Sequence, residues 1–137
     1  MILMAILQSS LWAEILINEV LYDPDQPSGS DDPYEWIEIC NNGSEDIDIA
    51  GWQLEKAGSS WSMLWEFTSP SVIPANGHVA FGPGVSSGDA FSGAMQNGPN
   101  TDGIQLLDQN SAIVDRVYYG EPHGDAAKDA IFSDWQS

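Results

Sequence analysis

The chain of 137 residues has almost no positive charge: twenty-one Asp and Glu face only Lys56, Arg116 and Lys128, for a formal net charge of −18. Nucleic-acid binding depends on neutralising phosphates with Lys and Arg, so this balance argues against DNA, RNA and anionic membranes as direct partners. Cysteine is nearly missing too. Cys40 stands alone, which rules out an intrachain disulfide. It lies within an apolar strand-like stretch and reads as a small core residue. The two histidines, His78 and His123, have no cysteine pair with which to build a zinc site. There is no G-x-S-x-G elbow and no glycine loop leading into a helix that could cradle phosphate. No segment keeps a helical period, and no apolar run is long enough to cross a bilayer as a helix.

What is present is apolar and aromatic material. Hydrophobic residues make up 42% of the chain and include six Trp, enough for one core in one domain. The acid then has three readings: a solvated, salt-tolerant surface, calcium binding, or attraction to a basic partner.

Short strands separated by turn signals fill the middle of the chain. Glu14 to Tyr22 is β-rich and ends at Asp23-Pro24, where proline stops a strand. Asp23 to Pro33 is a loop of Asp, Pro, Ser and Gly. Tyr34 to Cys40 is the second strand; it carries glutamates on both faces, which implies that at least one of them has a partner. Asn41-Asn42-Gly43 makes a turn, and Ile47 and Ile49 alternate with Asp46 and Asp48. Further strands are read at Gly51 to Leu54, Trp61 to Phe67, His78 to Phe81, Gly103 to Leu107 and Ala112 to Tyr119. Pro70 and Pro74 bracket a connection, and Gly82 to Asn100 is a long loop of small residues. The pattern predicts an all-β sandwich of about eight or nine short strands.

Six pieces in one order carry a resemblance to a known family. They are Ile17-Asn18-Glu19-Val20, Glu35-Trp36-Ile37-Glu38-Ile39 followed by Asn41, Ile49-Ala50-Gly51-Trp52-Gln53-Leu54, and Ile73-Pro74-Ala75-Asn76-Gly77. The last two are Asp102-Gly103-Ile104-Gln105-Leu106 and Val114-Asp115-Arg116-Val117-Tyr118. In this order they resemble the lamin tail domain of nuclear lamins and of bacterial extracytoplasmic proteins. The resemblance covers roughly Ile15 to Gly120 and implies an immunoglobulin-like β-sandwich. It also implies a binding or assembly role without catalysis, since bacterial relatives are often attached to secreted nucleases or cell-surface proteins. Those members commonly finish in a Thr-Pro-Gly-like segment that is missing before Ser137, as expected of a piece of a longer protein or a divergent short member. Trp36 and Trp52 are expected as core anchors, with Gly51 allowing a tight bend.

Three regions are assigned: 1–13 a signal-like segment, 14–120 the sandwich, and 121–137 a polar tail. The opening MILMAILQSSLWA is apolar and uncharged, with Ala13 placed as the last residue before cleavage and Leu11 two before it. The expected Lys or Arg near its start is missing. Export, to the cell surface or the medium, is the expectation, with no membrane insertion of the mature domain.

The candidate metal site is one for calcium, the only cofactor this sequence suggests. Glu19, Asp23, Asp25, Asp31, Asp32, Glu35 and Glu38 fall on two neighbouring strands and their loop, a supply of hard oxygens without EF-hand spacing. A paired-carboxylate hydrolase would need Glu19 with Glu35 or Glu38, because Glu35 and Glu38 point to opposite faces of their strand. Hydrogen-bonded structural glutamates are the stronger reading of these residues. Phe91 and Met95, apolar residues in the long loop, are the candidate protein-binding anchors. The function read from all this is non-catalytic attachment to a protein partner, with a basic one favoured by the charge. The sequence sets no oligomeric state. The alternative is a calcium-stabilised surface-adhesion or carbohydrate-binding module in which Trp61 and Trp65, four apart on one strand, stack on sugar rings.

Overall fold

The computed structural model describes residues 15–23, 34–58, 60–68, 70–85, 91, 95 and 102–119. They form nine strands: β1 Ile15–Leu21, β2 Trp36–Asn41, β3 Ile47–Asp48, β4 Gln53–Lys56, β5 Ser62–Glu66, β6 Val72–Ile73, β7 His78–Phe81, β8 Asp102–Leu107 and β9 Ile113–Tyr119. Every pairing is antiparallel, and no α-helix occurs among the described residues. One sheet has the order β1-β2-β7, a second β5-β4-β8-β9, and β3 pairs with β6 in a short ladder. The predicted all-β immunoglobulin-like sandwich is what the chain forms. The short β6 lies within the segment read from sequence as a proline-bracketed connection.

Alternation along the strands explains the core. Ile15 and Ile17 of β1, Ile37 and Ile39 of β2, Leu54 of β4, and Ile104 and Leu106 of β8 are all buried in one cluster, from strands of both larger sheets. Trp52 belongs to this cluster, as its sequence position implied, whereas Trp36 is half-buried on the opposite face of β2 from Ile37. Gly51 takes the left-handed φ of +80° in the turn before β4, the bend for which glycine was expected there. Cys40 is buried, as expected.

Many of the acids bond to the chain's own backbone. Asp46 accepts from the Ala75 amide at 2.9 Å, and Asp48 accepts from the Ala50 and Ser71 amides at 3.0 and 2.9 Å. Asn41, fully buried, does the same work from the other direction. Its side-chain amide donates to the carbonyls of Glu45 and Ile73, and its Oδ1 accepts from Gly43. These bonds fix the turn after β2 and hold the β3–β6 ladder beside it.

The β8–β9 hairpin shows the same device in a titratable form. Asp108 Oδ1 accepts from the amides of Asn110 at 2.8 Å and Ala112 at 2.7 Å, and Ser111 takes φ 63° to close the turn. Burial alone would raise the Asp108 carboxyl, but donation from Ala112 and Asn110 outweighs it and holds its pKa below the ordinary 3.8. A depressed folded value makes the contribution complete above the unfolded value and removes it as pH falls through the folded one. Asp108→Asn is therefore expected to melt below the wild type at neutral pH, with the gap closing under acid conditions below pH 3.8. Melting curves stepped from neutral to acid pH check this; a gap of constant size would mean that the charge contributes nothing.

Candidate functional site

The edges of the two larger sheets meet along β1 and β9. Their contact is made by side chains at two places. Asp115 Oδ2 accepts the Ile17 amide at 2.7 Å, answering an edge N–H of β1 with a carboxylate from the other sheet. Farther along, Tyr22 stacks on Tyr119 with ring centroids 4.0 Å apart and planes 21° from parallel. Between these contacts the β1–β2 register slips from Ile17 to Glu19, leaving Asn18 as the extra residue of a bulge. A groove of about 290 Å³ opens there, lined by residues 17–20 of β1 and 117–119 of β9.

Glu19, on the rim of that groove, lies directly opposite Glu38 in the β1–β2 register. Like charges in that position repel, and Asn18 moderates the repulsion by donating to Glu38 Oε1 at 2.7 Å. This is the one Glu–Glu pairing of the hydrolase reading that the register brings face to face. Glu35 is elsewhere: it is 0% exposed and continues the inward row of Ile37 and Ile39. Its Oε2 accepts the Met95 amide at 2.8 Å across sixty residues of chain. The expectation that a β2 glutamate has a partner is thus met twice, by Glu35 and by Glu38. Glu35 and Asp102 also act on Tyr119. Burial first, then the charges of Asp102 and Glu35 and the Tyr22 hydroxyl, push its phenol well above the usual range, so that it stays neutral.

Of the seven proposed calcium ligands, Asp25, Asp31 and Asp32 lie outside the described residues. Asp23 is exposed just after β1, and Glu19, Glu35 and Glu38 are placed as above. Among the described residues no three His, Cys, Asp or Glu side chains come together to hold a metal ion. Phe91 and Met95 are each 2% exposed and belong to the core cluster, so in this fold they fill the chain's own interior instead of presenting anchors to a partner. Glu35 holds the Met95 backbone inward, and the Phe91 ring lies against Gly82.

The tryptophan pair of the sugar-binding reading is divided by a second bulge. Leu54 pairs with Trp65 and Glu55 with Met63, so Leu64 is an extra residue and the face alternation of β5 resets across it. Trp65 packs against the core cluster. Trp61 lies on the outer face, where the Arg116 guanidinium is 5.0 Å from its ring centroid and its edge covers Gly103. Arg116 also donates to Gln105 Oε1 through Nε at 2.9 Å and Nη2 at 2.6 Å, and Gln105 donates to Glu55 at 2.5 Å. Sequence spacing did not reveal this outer-face network, which joins β4, β8 and β9. The signal available was Arg116, a rare cation placed on a strand beside Gln105.

No helix among the described residues is long and apolar enough to cross a membrane. No curated protein matches the chain. The family model for the Lamin Tail Domain matches residues 8–121, which enclose every strand of the sandwich. With nine antiparallel strands arranged as an immunoglobulin-like sandwich, the chain belongs to the lamin tail domain family, a family of immunoglobulin-like, non-enzymatic domains.

Proposed function

We propose that this lamin tail domain is a non-catalytic, extracytoplasmic attachment module whose partner is a basic protein. The observation that carries the reading is the one-sided surface. Among the described acids Glu35, Asp102 and Asp108 are buried and Glu38, Glu55, Glu66 and Asp115 half-buried, while Glu19, Asp23, Glu45, Asp46 and Asp48 are exposed; Arg116, one of the chain's three cations, is bound into the outer-face network. A field of one sign draws an oppositely charged protein from a distance and repels a like-charged one. The apolar, uncharged opening of the chain supports export as the route to that partner.

Pull-down with the immobilised domain tests the reading. A basic protein from the exported fraction should be held at about 50 mM salt and released at about 500 mM, where screening shortens the reach of surface charge. Retention of nothing, or of a partner indifferent to salt, counts against it.

A further inference from the structure

The groove between β1 and β9 has a shape and chemistry that fit one kind of group. Its walls include the half-buried Val20 and Val117, and Tyr119 adds aromatic surface. The exposed Glu19 stands on its rim, with Glu38 opposite and Asp115 at the clasp. Lysine and arginine match this combination, because an aliphatic stem lies along apolar walls while the charged head reaches a carboxylate. Tyrosine faces attract the same heads. Any acidic group would meet Glu19 and Glu38, and a purely aliphatic one would leave the exposed Glu19 carboxylate unused. Arg116, the neighbouring cation, is turned onto Gln105 and Trp61 on the outer face. At about 290 Å³ the groove falls just short of the range in which whole small-molecule ligands are enclosed, about 300–1,000 Å³, and it suits a single long side chain.

We propose that this groove is the socket for a lysine or arginine side chain of the partner protein, with Glu19 holding the cationic head and Val20 and Val117 packing its stem. The inference rests on the attachment reading and locates it. The occupant is a protein side chain, because the walls and rim use its stem and its charge together.

A short peptide alternating lysine and valine is the probe, followed by amide chemical shifts of the intact chain. Shifts should concentrate at residues 17–20 and 117–119. Glu19→Gln should weaken binding about fivefold, the scale of an exposed charge pair. Glu45→Gln, which removes the same charge from an exposed turn, should leave binding unchanged. Shifts scattered over the acidic surface, equal weakening by both variants, or no binding would each overturn the socket. Testing both variants in the pull-down separates the two claims. A basic partner retained equally by wild type and Glu19→Gln keeps the attachment reading and removes the socket. Groove shifts with the peptide, but no partner captured by the wild type, do the reverse.

Discussion

Replacing Gly82 by alanine is expected to destabilise the domain by about 2–6 kcal/mol, the sum of backbone strain and overpacking each costing about 1–3 kcal/mol. Gly82 has φ +138°, a backbone region that side-chain-bearing residues rarely enter. A Cβ there would stand 2.6 Å from the Glu35 carbonyl oxygen, 2.8 Å from the Trp36 Cα and 3.0 Å from the Phe91 ring. The first two are backbone atoms of the segment entering β2, so no side chain can swing aside to make room. Relief would come from moving the end of β7 off the start of β2, where Glu35 holds Met95 and Gly84 donates to the Glu35 carbonyl at 3.0 Å. The loss should therefore spread to the buried Phe91 and Met95. Gly58→Ala is the matched control, since its Cβ would meet only the Ser60 carbonyl at 3.7 Å. Chemical denaturation of both variants checks the difference; equal midpoints would mean that the chain rearranges around Gly82 at no cost.

That junction also shows how far the sequence could be read. The strands were legible because alternation and turn residues mark them, and each strand expected from residue 14 to 119 has a counterpart. The hydrogen-bonded reading of Glu35 agrees with its place in the fold, and the calcium reading does not use that place. Glu35 shares the face of Ile37 and Ile39, and a glutamate continuing an inward row is more economically a buried acceptor than a calcium ligand. Its partner, the Met95 amide, lies sixty residues away in a stretch with no periodicity, so nothing local pointed to it.

Bulges account for the other differences. A single extra residue at Leu64 sends Trp61 and Trp65 to different surroundings, and a spacing of four cannot reveal it. The bulge at Asn18 opens the β1–β9 groove, and it too is invisible in the alternation of Ile17-Asn18-Glu19-Val20. Acids were harder still. Sequence alone offers solvation, metal or partner binding for an Asp, whereas Asp46, Asp48, Asp108 and Asp115 each accept a backbone amide. Which amides lack a strand partner is a property of the fold, so this use emerges only once the strands are assembled.

Phe67→Ala should destabilise by about 3–5 kcal/mol, the usual loss for a buried phenylalanine truncated to alanine. For a domain of this size that corresponds to a melting temperature roughly 10–20 °C lower. Phe67 is fully buried just after β5, and its ring meets Phe81 edge-on, at 4.8 Å between centroids and 71° between planes. Phe81 ends β7, so the ring pair joins the four-stranded sheet to the three-stranded one. The backbone of Phe67 is tied as well: its amide donates to the Trp52 carbonyl at 3.0 Å, and its carbonyl accepts from Gly51 at 2.6 Å. With the backbone held this way, the chain cannot readily collapse into the space left by the ring, which places the cost toward the upper end. Phe67→Leu should lose less than half as much, because most of the volume survives and only the aromatic edge contact, worth about 0.5–1.5 kcal/mol, is wholly lost. Met63→Ala, on the exposed face of β5, should change stability by no more than about 0.5 kcal/mol. Calorimetry of the three variants orders them. If Phe67→Ala melted with Met63→Ala, the two sheets would be held together without this ring pair.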